Sequence, residues 1–217
     1  MAHNIYQEMG YVVKDECYTT SAESNKLVKY LLENNIIDRD IKIWLPFDND
    51  FSNIYKALKK AQCNITISNL ELGLDFYLYE PKEWDIIITN PPFSKRTNLM
   101  KRLLSFDKPF IILQATQYFN NQFAVNFLCE YSNDFKFIMP RSRMSFLTYR
   151  EKDKKISSSR NGASFYSFWL CYKTKLQKHF NAIKDSGLEK DIESYKIDGN
   201  IIIENHENLF NIGVDKL

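Results

Sequence analysis

An unbroken run of β-branched residues, Ile86 to Thr89, stands immediately before Asn90 and two prolines. Such a run is typical of a strand in a parallel sheet that is covered on both faces. Pro91 and Pro92 cannot donate hydrogen bonds to a sheet ladder and their φ angles are fixed, so the chain must leave the sheet in a stiff, extended segment. The sequence therefore predicts a buried strand that ends abruptly and holds the amide of Asn90 at its end.

Strand-like and helix-like segments alternate along the rest of the chain. Strands are predicted at 41–46, 64–68, 84–89, 109–115, 134–140 and 163–173, and helices at 27–32, 52–61, 97–104 and 121–130. Thr20 and Glu23 have the spacing of a capping box at the first helix. The alternation predicts an α/β fold with a mostly parallel sheet and helices on both faces. Because no clear helix separates the last two strands, we expect them to pair antiparallel at an edge.

The size of the chain bounds its domain organisation. It has 217 residues, of which 44% are hydrophobic and 15% aromatic, enough for one substantial core. We expect a single main domain over residues 1–175. Residues 176–217 are expected to form a small appendage, in which Asp198-Gly199 predicts a two-residue hairpin turn.

The cysteine, histidine and charge patterns exclude several kinds of protein. The four cysteines and three histidines are scattered, so neither a disulfide framework nor a metal site is predicted. No stretch approaches the roughly 18 consecutive apolar residues of a membrane helix, and the N-terminus has no signal pattern. We therefore expect a soluble, intracellular protein without membrane contact. Its richness in Asn, Lys and Ile is typical of an AT-rich genome, so we expect the cytoplasm of a bacterial or phage-infected cell. The net charge is only +2, so a nucleic-acid surface requires local clusters of Lys and Arg.

The segment from Asn90 to Phe93 suits the capture of an amino group. In an open α/β sheet, ligands bind beyond the carboxyl ends of the strands, where this segment lies. The side-chain oxygen of Asn90 and the carbonyl of Pro91 would form two neighbouring acceptors for one NH₂ group, whose lone pair then points toward an electrophile. Phe93 would stack on the plane of a base. The alternative is a plain turn, in which Asn and Pro are common.

The sequence N-P-P-F after an apolar strand resembles the catalytic motif of S-adenosylmethionine-dependent amino methyltransferases, and those acting on adenine N6 in DNA match best. The resemblance implies a Rossmann-like class I methyltransferase fold with a mainly parallel, seven-stranded sheet. It also implies S-adenosylmethionine as the cofactor, no metal, and Asn90, Pro91, Pro92 and Phe93 as the catalytic residues.

Two stretches before this motif resemble the family's cofactor-binding elements. Tyr18 and Thr19 resemble a tyrosine-threonine element that approaches the methionine end of the cofactor, although a plain helix cap explains them equally well. Pro46 and Phe47 stand at the place of the first cofactor loop. There the sequence departs from the family, because Leu45 replaces an acidic residue and no Gly-x-Gly turn follows.

Asp48, Asn49 and Asp50 stand where the family has its glycines. Asn and Asp are the non-glycine residues that best tolerate positive φ, so these residues are expected to form the turn. Asp48 would supply the carboxylate for the methionine ammonium group. The alternative is an ordinary strand-to-helix turn capped by Ser52.

Polar residues after the second strand are candidates for nucleoside contacts. Glu71, with Asn69 as a weaker candidate, would accept hydrogen bonds from the ribose hydroxyls. Asp75 and Phe76 resemble the family's next element, in which a carboxylate accepts the amine of the cofactor adenine and an aromatic residue flanks the ring. Glu71 is equally well explained as a solvated loop charge.

A basic segment with interleaved aromatic residues lies between the strands at 134–140 and 163–173, as expected of a loop that follows a phosphate backbone. The residues that we predict to bind nucleic acid are Arg141, Arg143, Lys152, Lys154, Lys155 and Arg160, together with Lys95 and Arg96 beside the N-P-P-F motif. Charge runs are also common on solvated loops and helix faces.

The residues leave three functional hypotheses open. The favoured one is an adenine-N6 DNA methyltransferase acting on a flipped or single-stranded base. The second is the same chemistry on RNA or on another amino or amide group. The third is an inactive, methyltransferase-like binding or decoy protein. We expect no large target-recognition domain within the 217 residues, so sequence specificity is expected to be short, supplied by residues 141–162 or by a partner protein, or absent.

Overall fold

A computed structural model describes residues 17–92, 96–150, 155–158 and 165–183, and for residues 148–150 and 155–158 only the backbone is described. The helices are α1 (Ser21–Glu33), α2 (Asn53–Lys60), α3 (Arg96–Ser105) and α4 (Gln122–Glu130), with a 3-10 helix at Thr116–Asn120. The strands are β1 (Cys17–Thr19), β2 (Lys42–Pro46), β3 (Asn64–Ser68), β4 (Ile86–Thr89), β5 (Phe110–Ala115), β6 (Phe135–Pro140), β7 (Phe146–Arg150), β8 (Lys155–Ser158), β9 (Ser167–Tyr172) and β10 (Phe180–Ile183).

Seven of the described strands form one sheet, in the order β10-β6-β9-β5-β4-β2-β3. All neighbouring pairs are parallel except those of β9, which runs antiparallel to both β5 and β6. The predicted α/β fold with a mostly parallel sheet is therefore confirmed.

The position of β9 corrects one prediction. We expected the last two strands to pair antiparallel at an edge, and β9 does pair antiparallel with β6. However, β9 lies inside the sheet, between β5 and β6, where it has ladder partners on both sides and all six of its residues are buried. The edge is formed instead by β10, which lies beyond residue 175, in the segment that we expected to be an appendage. The predicted turn at Asp198-Gly199 lies outside the described residues.

Helices cover both faces of the sheet, and successive residues of its central strands point alternately toward one face and the other. In β4, Ile86 and Ile88 pack in the core formed with α1 and α2, while Ile87 packs in the core formed with α3 and α4. All three isoleucines are buried. The continuous isoleucine run thus reflects a strand with two apolar faces.

The helix starts follow the predicted capping residues. The hydroxyl oxygen of Thr20 accepts from the N–H of Glu23 at the start of α1, and that of Ser52 accepts from the N–H of Tyr55 at the start of α2, both at 3.4 Å. These caps satisfy backbone N–H groups that lack partners within the helix.

A second, antiparallel sheet consists of β1, β7 and β8. β1 pairs with β7 from Cys17 opposite Thr148 to Thr19 opposite Phe146, and β7 pairs with β8. We predicted a loop over the segment that contains β7 and β8, and this was wrong for residues 146–150 and 155–158. Phe146 and Leu147 are buried, so apolar residues within the basic segment anchor the hairpin.

No helix in the described part of the chain combines the length and apolar character that crossing a bilayer requires. None of the four cysteines forms a disulfide, and the described residues contain no cluster of three or more His, Cys, Asp or Glu side chains that could hold a metal ion.

Core packing predicts a large stability difference between two leucines. Leu113 is fully buried in β5, whereas Leu78 is 87% exposed. Leu113→Ala is expected to lower the free energy of unfolding by about 2 to 5 kcal/mol, and Leu78→Ala by less than about 0.5 kcal/mol. Urea unfolding of both variants measures the difference, and equal losses would contradict the burial of β5.

Candidate functional site

The chain order of the sheet reverses at β2. Its neighbours are β3 on one side and β4 on the other, and the three strands are parallel. In open α/β sheets, ligands bind outside the carboxyl ends of the strands at such a point. The candidate site therefore comprises the turn after β2, the turn after β3 and the segment after β4.

Thr89, the last residue of β4, joins this strand to the turn after β2. Its hydroxyl lies 2.6 Å from the carbonyl oxygen of Pro46 and 3.0 Å from Oδ2 of Asp48. A hydroxyl has one hydrogen, so Thr89 donates to one of these oxygens at a time, and a protonated Asp48 can donate to Thr89 instead. The two strand ends are thus connected through a buried polar side chain.

The carboxyl group of Asp48 is buried in the turn. Asp48 is 9% exposed, and its Oδ1 accepts a hydrogen bond from the hydroxyl of Ser52 at 2.5 Å. Burial raises the pKa of Asp48 to about 6, although the hydrogen bonds with Ser52 and Thr89 act in the opposite direction. A carboxylate accepts at about four lone-pair positions, so these two bonds leave acceptor capacity for a cation. The contact with a methionine ammonium group stays a prediction.

The backbone of this turn differs from our prediction. We expected Asp48, Asn49 or Asp50 to carry a positive φ, but the residue in the left-handed region is Phe47, with φ of 72°. An aromatic residue adopts this conformation only when its surroundings impose it. The ring of Phe47 packs against Phe76, with 4.9 Å between the ring centroids, and this contact offsets the strain.

Asn69 connects the turn after β3 to the turn after β2. Its Nδ2 donates to the carbonyl oxygen of Asp48, and its Oδ1 accepts from the N–H of Leu72, both at 2.9 Å. These bonds fix the backbone around Glu71, which is exposed. The predicted ribose contact of Glu71 stays a prediction.

Asp75 and Phe76 have structural contacts of their own. Oδ1 of Asp75 accepts from the N–H of Tyr77 at 2.9 Å. Phe76 is 2% exposed and packs against Trp44 and Phe47. Phe76 therefore supports the strained turn from within the core, and the half-buried Phe47 is the ring of this pair nearer the surface.

The amide of Asn90 is held by β1. Its Nδ2 donates to the carbonyl oxygen of Cys17 at 2.6 Å and to Oγ1 of Thr19 at 3.2 Å. Its Oδ1 is buried and has no hydrogen-bond partner within the described part of the chain. Because both amide hydrogens are used, the function left to this side chain is that of an acceptor.

The short strand β1 also brings Tyr18 and Thr19 to the site. Thr19 is 5% exposed, and its carbonyl oxygen accepts from Nδ2 of Asn53, the first residue of α2, at 2.9 Å. Tyr18 is 41% exposed. β1 therefore links the end of β4 to the start of α2, which follows the turn at Asp48.

An exposed pair, Arg143 and Tyr166, lies near the same edge of the sheet. The guanidinium carbon of Arg143 lies 4.6 Å from the ring centroid of Tyr166, and Tyr166 is 58% exposed. The carbonyl oxygen of Tyr166 accepts from the N–H of Thr116, directly after β5, at 2.8 Å. Because β9 is antiparallel, its start lies at the carboxyl edge of β4 and β5, which also carries Asn90.

For the remaining predicted residues, the structure gives only the exposure of the side chain or does not describe the residue. Arg141 is exposed, Arg96 is half-buried at the start of α3, Pro91 is buried and Pro92 is half-buried. Phe93, Lys95, Lys152, Lys154 and Arg160 lie outside the described residues, and only the backbone of Lys155 is described.

Four residues of the site were not predicted: Cys17, Asn53, Thr89 and Tyr166. Thr89 could have been found as a hydroxyl at the end of an otherwise apolar strand. Cys17 acts through its backbone carbonyl, which leaves no signal in the sequence. Asn53 and Tyr166 become meaningful only when the pairing of the strands is known.

No protein-family model and no curated protein matches the sequence. Similar solved structures include a type I restriction-modification system methyltransferase subunit from Streptococcus thermophilus, at 11% identity and a TM-score of 0.50, covering 90% of this chain and 56% of that chain. A second is described as a class I S-adenosylmethionine-dependent methyltransferase from Listeria monocytogenes, at 11% identity and a TM-score of 0.48, covering 89% of this chain and 75% of that chain. A third is described as a hemolysin from Lactococcus lactis, at 9% identity and a TM-score of 0.43, covering 82% of this chain and 98% of that chain.

The likeness to the Streptococcus thermophilus subunit, at 11% identity, shows a shared fold. The chain spans 56% of the length of that subunit.

The buried carboxyl group predicts a specific dependence of stability on pH. Burial raises the pKa of Asp48 from 3.8 to about 6, so the folded state holds this proton more tightly than the unfolded chain, and stability falls as pH rises from 3.8 to about 6. The cost is about 3 kcal/mol, since a tenfold change in an equilibrium constant is about 1.4 kcal/mol. Asp48→Asn removes this ionisation, so its melting temperature relative to wild type should be higher at pH 8 than at pH 5.

The control is Asp40→Asn, the same substitution at an exposed position. If the difference in melting temperature between Asp48→Asn and wild type is the same at both pH values, the carboxyl group does not titrate as a buried acid.

Proposed function

We propose that this chain transfers a methyl group from S-adenosylmethionine to the exocyclic N6 amine of adenine in DNA. The observation that carries the proposal is the amide of Asn90, which presents a buried acceptor without a described partner at the carboxyl end of β4. A buried polar atom without a partner costs about 1 to 3 kcal/mol. An N–H donor from a substrate would remove that cost. A turn with only a structural role gains nothing from an unsatisfied acceptor.

The acceptor suits an amine that becomes positively charged during reaction. The amine of the base would donate one hydrogen to Oδ1 of Asn90 and the other to the carbonyl of Pro91. Its lone pair would accept the methyl group, the electron pair of the former C–S bond would leave with the sulfur, and the nitrogen would lose a proton to solvent. Because positive charge on nitrogen strengthens its hydrogen bonds, Asn90 stabilises the transition state more than the bound substrate.

The turns after β2 and β3 contain residue types that fit the cofactor. S-adenosylmethionine supplies an electrophilic methyl group when it is bound. Asp48 would accept from the ammonium group of its methionine part, and the exposed Phe51 and Leu72 offer apolar surface for its adenosyl part. The turn after β2 has no glycine, so its side chains keep the backbone farther from the cofactor. We therefore expect S-adenosylmethionine to bind weakly.

Two observations support nucleic acid as the substrate. The exposed pair of Arg143 and Tyr166 offers a charge for phosphate and a ring for stacking at the edge that carries Asn90. In addition, the Streptococcus thermophilus protein that shares this fold is the methyltransferase subunit of a type I restriction-modification system. Since this chain spans 56% of that subunit, the proposal includes a partner that contributes sequence specificity.

One observation favours an inactive, methyltransferase-like binding protein as a second candidate. The turn after β2 lacks glycine and places Phe47 in a strained conformation, which could prevent close contact with the cofactor. Titration calorimetry with S-adenosylmethionine separates the two candidates, because the second predicts no heat of binding at saturating cofactor. RNA and other amino groups are alternative targets of the same chemistry, and nucleoside mass spectrometry after incubation with DNA and RNA identifies the modified base.

Asn90→Ala is expected to lower the single-turnover rate of methylation by about two orders of magnitude or more, comparable to the loss of one preorganised polar group. The affinity for S-adenosylmethionine should stay nearly unchanged, because the acceptor faces the amine. Rapid-quench methylation and calorimetry on the same preparation provide both measurements.

The matched control is Asn181→Ala in β10. Nδ2 of Asn181, like that of Asn90, donates two hydrogen bonds, here to the carbonyl oxygens of Phe137 and Lys178, at 3.3 Å and 2.8 Å. Both variants should lose similar stability, but only Asn90→Ala should lose catalysis. Wild-type methylation by a normally folded Asn90→Ala protein would refute the site assignment.

Tyr166→Ala is expected to weaken binding of single-stranded DNA by about 1 to 3 kcal/mol, the usual contribution of one stacked base. The control, Phe180→Ala, removes another exposed ring, which stacks on Phe137. Phe180 is the first residue of β10, so it lies at the amino ends of the parallel strands, opposite the edge that carries Asn90. Fluorescence anisotropy with a labelled oligonucleotide should show weaker binding for Tyr166→Ala alone, and equal affinities for the two variants would place the nucleic acid elsewhere.

A further inference from the structure

We propose that Thr19 is a positioning residue for Asn90, and that β1 sets which end of the Asn90 amide faces the substrate. This inference rests on the proposed function, because it assigns a role within the same site. The resemblance implied a different role for Thr19, contact with the cofactor, and a plain helix cap was an equally good explanation.

The polarity of the Asn90 amide is decided by the carbonyl of Cys17. That carbonyl can only accept, and it lies 2.6 Å from Nδ2 of Asn90. Rotating the amide by 180° would place Oδ1 against another oxygen at this distance, which is repulsive. The second amide hydrogen goes to the hydroxyl oxygen of Thr19 at 3.2 Å. Two contacts therefore fix both the polarity and the plane of the amide.

β1 is itself fixed from two other directions. Nδ2 of Asn53 donates to the carbonyl oxygen of Thr19 at 2.9 Å, which anchors β1 to the first residue of α2. On its other side, β1 pairs with β7 over all three of its residues. The position of Thr19 is thus defined relative to α2, and its hydroxyl transmits that position to Asn90.

The two contacts differ in what a substitution can remove. The Cys17 contact is a backbone carbonyl and survives any change of side chain. The Thr19 contact is a side-chain hydroxyl and is removed by Thr19→Val, which keeps the shape of the residue but leaves one amide hydrogen of Asn90 without its acceptor. The amide would then be held at one point, and its plane could rotate.

The first test reads the Asn90 amide directly and does not need catalysis. In ¹⁵N-labelled protein, the side-chain NH₂ signals of Asn90 are identified by their loss in Asn90→Asp. Thr19→Val should shift one of the two proton signals and increase its hydrogen exchange, whereas Thr19→Ser should leave the pair close to wild type. Thr66→Val, the same substitution in β3, two strands away from β4, is the control. Unchanged Asn90 signals in Thr19→Val would overturn the proposal.

The second test separates positioning from cofactor binding. Thr19→Val should lower the single-turnover methylation rate at saturating cofactor by about tenfold to a hundredfold, as expected for a misplaced reacting group, and leave the Kd for S-adenosylmethionine within about twofold of wild type. Thr19→Ser should restore most of the rate. A weakened cofactor Kd with a normal rate at saturation would instead show that Thr19 contacts the cofactor, and would overturn the positioning role.

Two further outcomes keep the tests distinct. If wild-type protein methylates no substrate while the Asn90 signals respond to Thr19→Val, the proposed function fails and the positioning contact stands. If Thr19→Val does not fold, Thr19→Ala compared with Thr19→Ser provides the same contrast. Equal Asn90 signals in that pair would overturn the proposal.

Discussion

Parallel pairing between β2 and β4 brings together two strand ends that are 43 residues apart in the sequence. The hydroxyl of Thr89 then reaches both the carbonyl of Pro46 and the carboxyl group of Asp48. The turn at Asp48 and the amide of Asn90 both lie at this junction because neighbouring parallel strands end at the same edge of a sheet. If the order of β2 and β4 in the sheet changed, the turn at Asp48 and the amide of Asn90 would no longer share a site.

The carboxyl group of Asp48 has two opposing roles at this junction. It holds the turn through Ser52, yet its burial raises its pKa to about 6, so the ionised form is costly at neutral pH. A ligand ammonium group beside the carboxylate would reduce this cost and lower the pKa. A strained turn with a poorly solvated carboxyl group is therefore expected to become more stable when a cation binds, which couples folding of the turn to occupation of the site.

Local sequence signals predicted six of the seven strands of the larger sheet and the caps at Thr20 and Ser52, since each depends on residues that are neighbours in the chain. They did not predict β10 or the three strands of the smaller sheet. The partners of Asn90 could not be predicted in this way, because Cys17 and Thr19 are 73 and 71 residues away from it. Dependence on residues that are distant in the chain also explains two wrong predictions, the residue with positive φ and the place of β9. The positive φ of Phe47 depends on its contact with Phe76, and the interior place of β9 depends on the strands that flank it.

The fixed polarity of Asn90 also restricts the groups that the site can accept. With both amide hydrogens bonded to β1, Asn90 offers only an oxygen, so an amino group is favoured and a carbonyl group at the same place is repelled. Adenine and cytosine carry such an amino group, whereas thymine and guanine carry a carbonyl at the corresponding position. A site built around a specific hydrogen bond rejects a mismatched group far more strongly than an apolar pocket does. Under the proposed function, the choice between adenine and cytosine would therefore depend on the size and shape of the space around the ring, and not on Asn90.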